Sequence, residues 1–170
     1  MIKYEHLCGK EFDLQEQNCY HLLRALFKDN WGIELSDIPC PVDFNERKMD
    51  LYAQLAHSEG FEVLHCHPRD YRAGDVFLMA INSPIGNHVG VLLEDGQMVH
   101  HLYSQLSGKT AYGGLFRNTT LGVYRHRDVT QDPADVERVD FRTLLSPTMR
   151  RKLEEIERSH TDNAETPSST

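Results

Sequence analysis

The sequence EQNCYHLLRALFK, residues 16–28, combines a helical apolar pattern with a cysteine near its start. Its large apolar residues recur at the spacing of one helical face, so this segment predicts an α-helix that packs on a core; they are Leu22, Leu23, Leu26 and Phe27. Asn18 is a favourable N-cap residue and places Cys19 at the first helical position, on the same face. Unpaired N–H groups and the helix dipole favour an anion there. The sequence therefore predicts a thiol biased toward thiolate, and the alternative is an inert, buried cysteine.

Composition excludes several classes of function. The chain of 170 residues is long enough for one domain with a proper core. Its net charge of −8, with no basic stripe, argues against nucleic acid as a partner. No apolar run approaches a membrane span, and the first residues contain no apolar segment typical of a signal peptide, so we expect neither membrane insertion nor secretion by a signal. The four cysteines form no CxxC pair, and we expect them to be reduced thiols.

The order of elements predicts an α+β fold. A first helix over about residues 18–30 ends at Gly32, and a capping box at residues 43–46 opens a second helix that runs to Gly60. The period then changes to that of strands, and the two helices are expected to pack on an antiparallel sheet of about five strands. The predicted strands cover residues 61–65, 76–81, 88–93, 98–103 and 121–125.

The C-terminal part has a different character. We assign residues 1–128 to the globular domain and residues 129–158 to an extension, which contains a helix beginning near Pro147. Residues 159–170 carry no large apolar side chain and are expected to be a disordered tail.

A second group of reactive residues lies on one predicted hairpin. His88 begins the first arm, while His100 and His101 end the second, across a turn at Asp95 and Gly96. A cysteine nucleophile needs an imidazole base, and that base needs a polar group that orients it. A two-residue turn places His88 on one face with His101, whereas a three-residue turn or a bulge places it with His100. Both registers stay open at this point.

Three ordered motifs carry a family resemblance. They are NCYHLLR at residues 18–24, RAGDVFL at residues 72–78 and NHVGVLLEDGQMVH at residues 87–100. This order resembles the NlpC/P60 cysteine peptidases, and most of all the branch found in the tail components of tailed phages. The similarity extends over residues 4–126.

The resemblance implies a papain-like α+β fold and cleavage of amide bonds in peptidoglycan stem peptides, commonly between D-glutamate and a diamino acid. On the family's pattern Cys19 is the nucleophile, His88 the general base and His100 the residue that orients the base, with His101 as second choice. The choice of His100 implies a three-residue turn or a bulge near Gly96. No cofactor and no metal are expected.

The resemblance also implies where such a protein acts. We expect synthesis in the host cytoplasm and incorporation into the virion tail, with other tail-tip proteins and the peptidoglycan stem peptide as partners. Two alternatives remain: a structural tail-tip assembly protein with little or no activity, and a cysteine acyltransferase in which an amine replaces water.

The sequence departs from the family pattern at two positions. Asn18 replaces the usual aspartate before the nucleophile. The family often has a tyrosine upstream of the nucleophile near the oxyanion site, and here Phe12, which has no hydroxyl, stands in a comparable position.

One further motif suggests a metal. His65, Cys66, His67 and Pro68 resemble part of the metal-dependent JAMM isopeptidases, and the first three could bind zinc. The Ser-x-x-Asp element that should follow is absent from residues 69–75. We therefore expect ordinary surface or core roles for these residues.

Overall fold

A computed structural model describes residues 1–38, 50–129, 148, 149 and 151. The chain divides into two compact units, Met1–Gln131 and Asp132–Thr170. The helices and strands given below belong to the first unit. In the second unit only residues 148, 149 and 151 are described, and all three are helical. The predictions for the rest of the extension and for the tail lie outside the described residues.

Helix α1, Cys19–Trp31, confirms the first predicted helix. Asn18 caps it, because its side chain accepts hydrogen bonds from the N–H groups of Tyr20 and His21. At the other end Gly32 adopts φ 66°, a left-handed conformation that glycine tolerates, and its N–H donates to the carbonyl of Lys28. The capping residues therefore set both ends of the helix.

Two short helices accompany α1. Helix α2 is Leu51–Ala56, and the side chain of Asp50 accepts from the N–H of Ala53 at its start. The capping box predicted at residues 43–46 lies outside the described residues. Helix α3, Gly114–Thr119, was not predicted, because its sequence GLFRNT combines glycine and polar residues without a helical apolar repeat.

The described residues form an antiparallel sheet of six strands: β1 Phe61–Val63, β2 Val76–Met79, β3 His88–Leu92, β4 Gln97–His100, β5 Gly108–Ala111 and β6 Thr120–His126. Their order across the sheet is β1-β6-β2-β3-β4-β5. Each of the five predicted strands is present, with ends that differ from the prediction by at most three residues. The remaining strand, β5, was not predicted. It is an edge strand with only small or polar residues and lacks the large apolar residues that indicate a strand.

Alternation along the strands separates two apolar clusters. The first contains the buried face of α1 together with Val89, Val91 and Val99 of β3 and β4. The second contains Leu92 and Met98 of the same two strands. Because neighbouring residues of a strand point to opposite faces, the clusters lie on opposite sides of the sheet.

The β3–β4 hairpin settles the register that the sequence left open. The N–H of Leu93 donates to the carbonyl of Gln97 at 2.8 Å, so three residues form the turn. Gly96, the last of them, has φ 76°, as expected for a three-residue turn that ends in a left-handed residue. His100 pairs with Gly90, which places His100 on the face of His88. The two-residue turn is therefore wrong, and the turn implied by the family resemblance is confirmed.

A buried ion pair anchors the start of β2. Asp75 is 1% exposed, and its two carboxylate oxygens accept from the Arg125 guanidinium of β6 at 2.7 and 2.8 Å. The N–H of Arg72 donates to the same carboxylate at 2.7 Å. Such a bidentate pair with an added backbone donor compensates the burial of the carboxylate.

Among the helices of the described residues, none has both the length and the apolar character that crossing a membrane requires.

Candidate active site

Cys19 lies at the first position of α1 and is buried, with 5% of its surface exposed. Asn18 accepts from the N–H groups of Tyr20 and His21 with its side chain and from that of Leu22 with its carbonyl. The N–H of Cys19 itself takes no part in this capping. The N–H of Cys19 therefore lies at the helix end, directly beside the thiol and outside the capping hydrogen bonds.

Burial raises the pKa of the Cys19 thiol above its ordinary value. Hydrogen bonds from the Val89 backbone, the Tyr52 hydroxyl and the first N–H groups of the helix oppose this effect but do not overcome it. The expected bias toward thiolate is thus wrong for the resting structure. Removal from water destabilises the thiolate more than the hydrogen bonds at the helix end stabilise it. The neutral thiol is the resting form.

His88 and His100 form a buried pair. His88 Nε2 and His100 Nδ1 are 2.9 Å apart, and the rings are nearly perpendicular at 78°. Burial, followed by the charges of the neighbouring histidines, lowers the pKa of His88 to about 3 and that of His100 to about 4. Both rings are therefore neutral near pH 7, as a general base must be. The pairing leaves Nδ1 of His88 as the nitrogen that His100 does not engage.

His101 has a different environment. It is 1% exposed, its Nε2 lies 3.1 Å from the carbonyl oxygen of Gln105, and its ring packs edge-on against Phe12. The structure thus brings His100, and not His101, to His88.

Helix α1 meets the hairpin beside His88. The backbone of Val89, the next residue of β3, donates a hydrogen bond to the Cys19 thiol. Within the described residues no hydrogen bond joins Sγ of Cys19 to His88. The side chain that does contact this sulfur is Tyr52 of α2, whose hydroxyl oxygen lies 3.7 Å from Sγ. Sequence reasoning missed Tyr52, because only the packing of α2 against α1 reveals it.

The described residues contain no group of three or more His, Cys, Asp or Glu side chains that could hold a metal ion. In the motif that suggested zinc, His67 caps a short 3-10 helix, Pro68–Asp70, and its Nδ1 accepts from the N–H of Arg69 at 3.2 Å. Cys66 is an exposed free thiol.

A helix that begins with a cysteine and packs on an antiparallel sheet, which also carries a buried histidine pair, gives the chain an α+β fold with a candidate cysteine–histidine site. The particular family follows from comparison, since residues 8–125 match the NlpC/P60 family. The chain belongs to this family and has its α+β fold.

Two relatives come from bacteriophages. The chain is 31% identical to tail tip assembly protein K of Escherichia phage N15 over 130 residues, which cover 75% of this chain and 52% of that protein. It is 29% identical to tail tip assembly protein K of Escherichia phage lambda over 125 residues, which cover 72% of this chain and 60% of that protein. The chain therefore matches only about half to three-fifths of the length of these relatives.

A solved structure from Staphylococcus aureus, described as similar to a lipoprotein of the NLP/P60 family, aligns with a TM-score of 0.48 at 15% identity. The alignment covers 71% of this chain and 38% of that one.

Proposed function

We propose that this chain is a cysteine endopeptidase that cleaves amide bonds of peptidoglycan stem peptides as a component of a phage tail tip. The observation that carries the proposal is the 2.9 Å contact between His88 and His100, on a strand whose next residue, Val89, donates its N–H to the Cys19 thiol. Membership of the NlpC/P60 family supports the chemistry. The names of the two phage relatives support the location.

In the proposed reaction, Cys19 is the nucleophile and His88 the general base. Sγ attacks the amide carbonyl carbon while the thiol proton moves to His88, and the carbonyl electron pair moves to oxygen. Collapse of this adduct breaks the C–N bond, and His88 returns the proton to the leaving amine. Water then hydrolyses the thioester, again with His88 as base. His100 orients the imidazole throughout.

The protonation states favour proton transfer during attack over a preformed ion pair. The pKa of Cys19 is raised and that of His88 is lowered, so a thiolate–imidazolium pair is unfavourable in the resting site. General-base catalysis needs a neutral imidazole within reach, and the low pKa of His88 supplies the neutral form near pH 7. Hydrogen bonds at such sites often tighten only when substrate is bound.

The test is cleavage of purified sacculi, followed by mass spectrometry of the released fragments. We expect the wild-type chain and Cys66→Ala to release the same peptides, because Cys66 is an exposed thiol outside the site. Cys19→Ala is expected to release none. Equal release by Cys19→Ala, or none by the wild type both alone and in assembled particles, would refute the peptidase.

A structural role in tail-tip assembly is the second candidate. It is favoured by the resting site, in which the thiol is buried, has a raised pKa and contacts Tyr52. Particles that carry Cys19→Ala separate the two candidates. If the chain is a peptidase, such particles assemble normally but infect poorly; if its role is structural, they infect as well as the wild type.

A further inference from the structure

We infer that the hydroxyl of Tyr52 is an oxyanion donor for the reaction at Cys19, together with the N–H of Cys19 itself. The inference rests on the proposed function, since it concerns acyl transfer to this thiol. It assigns a catalytic role to α2, a helix that the three sequence motifs do not include.

The position of the Tyr52 side chain is the first observation. Its hydroxyl oxygen lies 3.7 Å from Sγ of Cys19, while its ring packs against that of Tyr20 at 5.9 Å between centroids. The hydroxyl is therefore directed at the reacting sulfur by ring packing and by α2, whose N-cap Asp50 lies two residues before Tyr52.

The second observation concerns Phe12, the residue in a position comparable to the family's upstream tyrosine. Phe12 packs edge-on against His101 and Tyr103, with ring centroids 5.2 Å apart in both cases. It has no hydroxyl and is engaged with the loop that follows β4. The phenol at the thiol thus comes from a residue downstream of the nucleophile.

The chemistry requires a donor at this place. When Sγ bonds to a carbonyl carbon, the carbonyl oxygen becomes an oxyanion. This oxyanion and Sγ are then bonded to the same carbon. A donor that contacts Sγ in the resting site is close enough to reach the oxyanion, for which a donor distance of about 2.7–3.1 Å is needed. Because capping by Asn18 does not use the N–H of Cys19, that group can donate from the helix end. The two donors together complete an oxyanion site.

A different role would give the same resting contact. In that role Tyr52 lowers the pKa of the thiol and does not contact the oxyanion. Two reagents distinguish these roles. With p-nitrophenyl acetate, Sγ attacks the ester carbonyl, an oxyanion forms, and collapse expels p-nitrophenolate to leave an acetyl thioester. With iodoacetamide, the C–S bond forms as the C–I bond breaks, and no oxyanion occurs. Only the first reaction benefits from an oxyanion donor.

The experiment measures both rates at Cys19 by peptide mass spectrometry, with the exposed Cys66 of the same chain as internal reference. We compare the wild type with Tyr52→Phe and with the control Tyr124→Phe. Tyr124 lines the same apolar cavity of about 60 Å³ as Tyr52. For Tyr52→Phe we expect alkylation to fall, because the hydroxyl also lowers the pKa of the thiol, and acetylation to fall at least about 10-fold further, up to the 100-fold typical of a lost oxyanion donor. Tyr124→Phe should change neither rate.

Other results overturn the inference. Equal decreases in both rates for Tyr52→Phe would mean that Tyr52 acts on the thiol alone, and no change would mean that it does not act. Failure of p-nitrophenyl acetate to acetylate wild-type Cys19 would leave no acyl transfer for Tyr52 to assist, and would also refute the assignment.

A different result would refute the proposed function and leave the oxyanion donor in place. If wild-type Cys19 is acetylated in a Tyr52-dependent way but sacculi are not cleaved, the oxyanion donor stands and the substrate is different.

Discussion

Acid should destabilise the fold through the buried histidine pair. The pKa of His88 and that of His100 lie at about 3 and about 4 in the folded chain, whereas an unperturbed histidine has a value of about 6.5. The unfolded chain therefore binds protons that the folded chain does not. As pH falls below about 6.5, each of the two histidines removes stability with a slope of up to about 1.4 kcal/mol per pH unit.

The perturbation that isolates this effect is His100→Asn, because asparagine can still hydrogen bond to His88 but does not titrate. From neutral pH to about pH 4.5, the titration of His100 alone should cost the wild type about 2.5 kcal/mol of unfolding free energy. The same change of pH should cost His100→Asn about 2.5 kcal/mol less than it costs the wild type. The unfolding free energy of each variant is compared between the two pH values, so the effect of the substitution itself on stability cancels.

The assay is urea unfolding at several pH values, with His65→Gln, a substitution of an exposed histidine, as the control. The control should have the pH dependence of the wild type. If His100→Asn loses as much stability in acid as the wild type does, burial does not lower the pKa of His100 in the folded chain.

Three substitutions test the packing around the site. Asp75→Ala leaves the Arg125 guanidinium, whose side chain is 26% exposed, without its partner and should lower the unfolding free energy by about 1.5–3 kcal/mol in urea titrations; no loss would contradict a stabilising role of the pair. Gly90→Ala would place its Cβ 2.6 Å from Cγ of the fully buried Met98, so we expect a loss of about 1–3 kcal/mol, and thermal unfolding unchanged from the wild type would argue against this close approach. Asn18→Asp restores the usual family residue but removes the amide that donates to the carbonyl of Leu14 at 2.7 Å, so its melting temperature should fall, and an increase would show that the negative charge at the helix start outweighs that bond.

Much of the fold could be predicted from local pattern. Helix α1 follows from its apolar spacing and from caps at Asn18 and Gly32, which depend only on neighbouring residues. The five predicted strands follow from alternation and turn residues. Strand β5 and helix α3 could not be found in this way, since pairing with β4 and packing against the sheet, rather than their own residues, stabilise them.

The candidate site could likewise be predicted only in part. The residues Cys19, His88 and His100 could be proposed from motifs, but the hairpin register needed the family spacing, because a turn of two or three residues moves His100 from one face to the other. The pKa of the thiol could not be predicted, since burial depends on the whole fold. Tyr52 was missed because the contact joins residues 33 positions apart in sequence.

A search for the acyl-enzyme on Cys19 tests the proposed peptidase directly. The chain is incubated with purified sacculi, quenched in acid and digested with trypsin, and the peptide of residues 11–24 is examined for a thioester on Cys19. We expect a stem-peptide fragment on Cys19 of the wild type, and none on Cys66 of the same chain. Release of stem peptides without any adduct on Cys19, or release that persists in Cys19→Ala, would contradict the central claim that this thiol performs the cleavage.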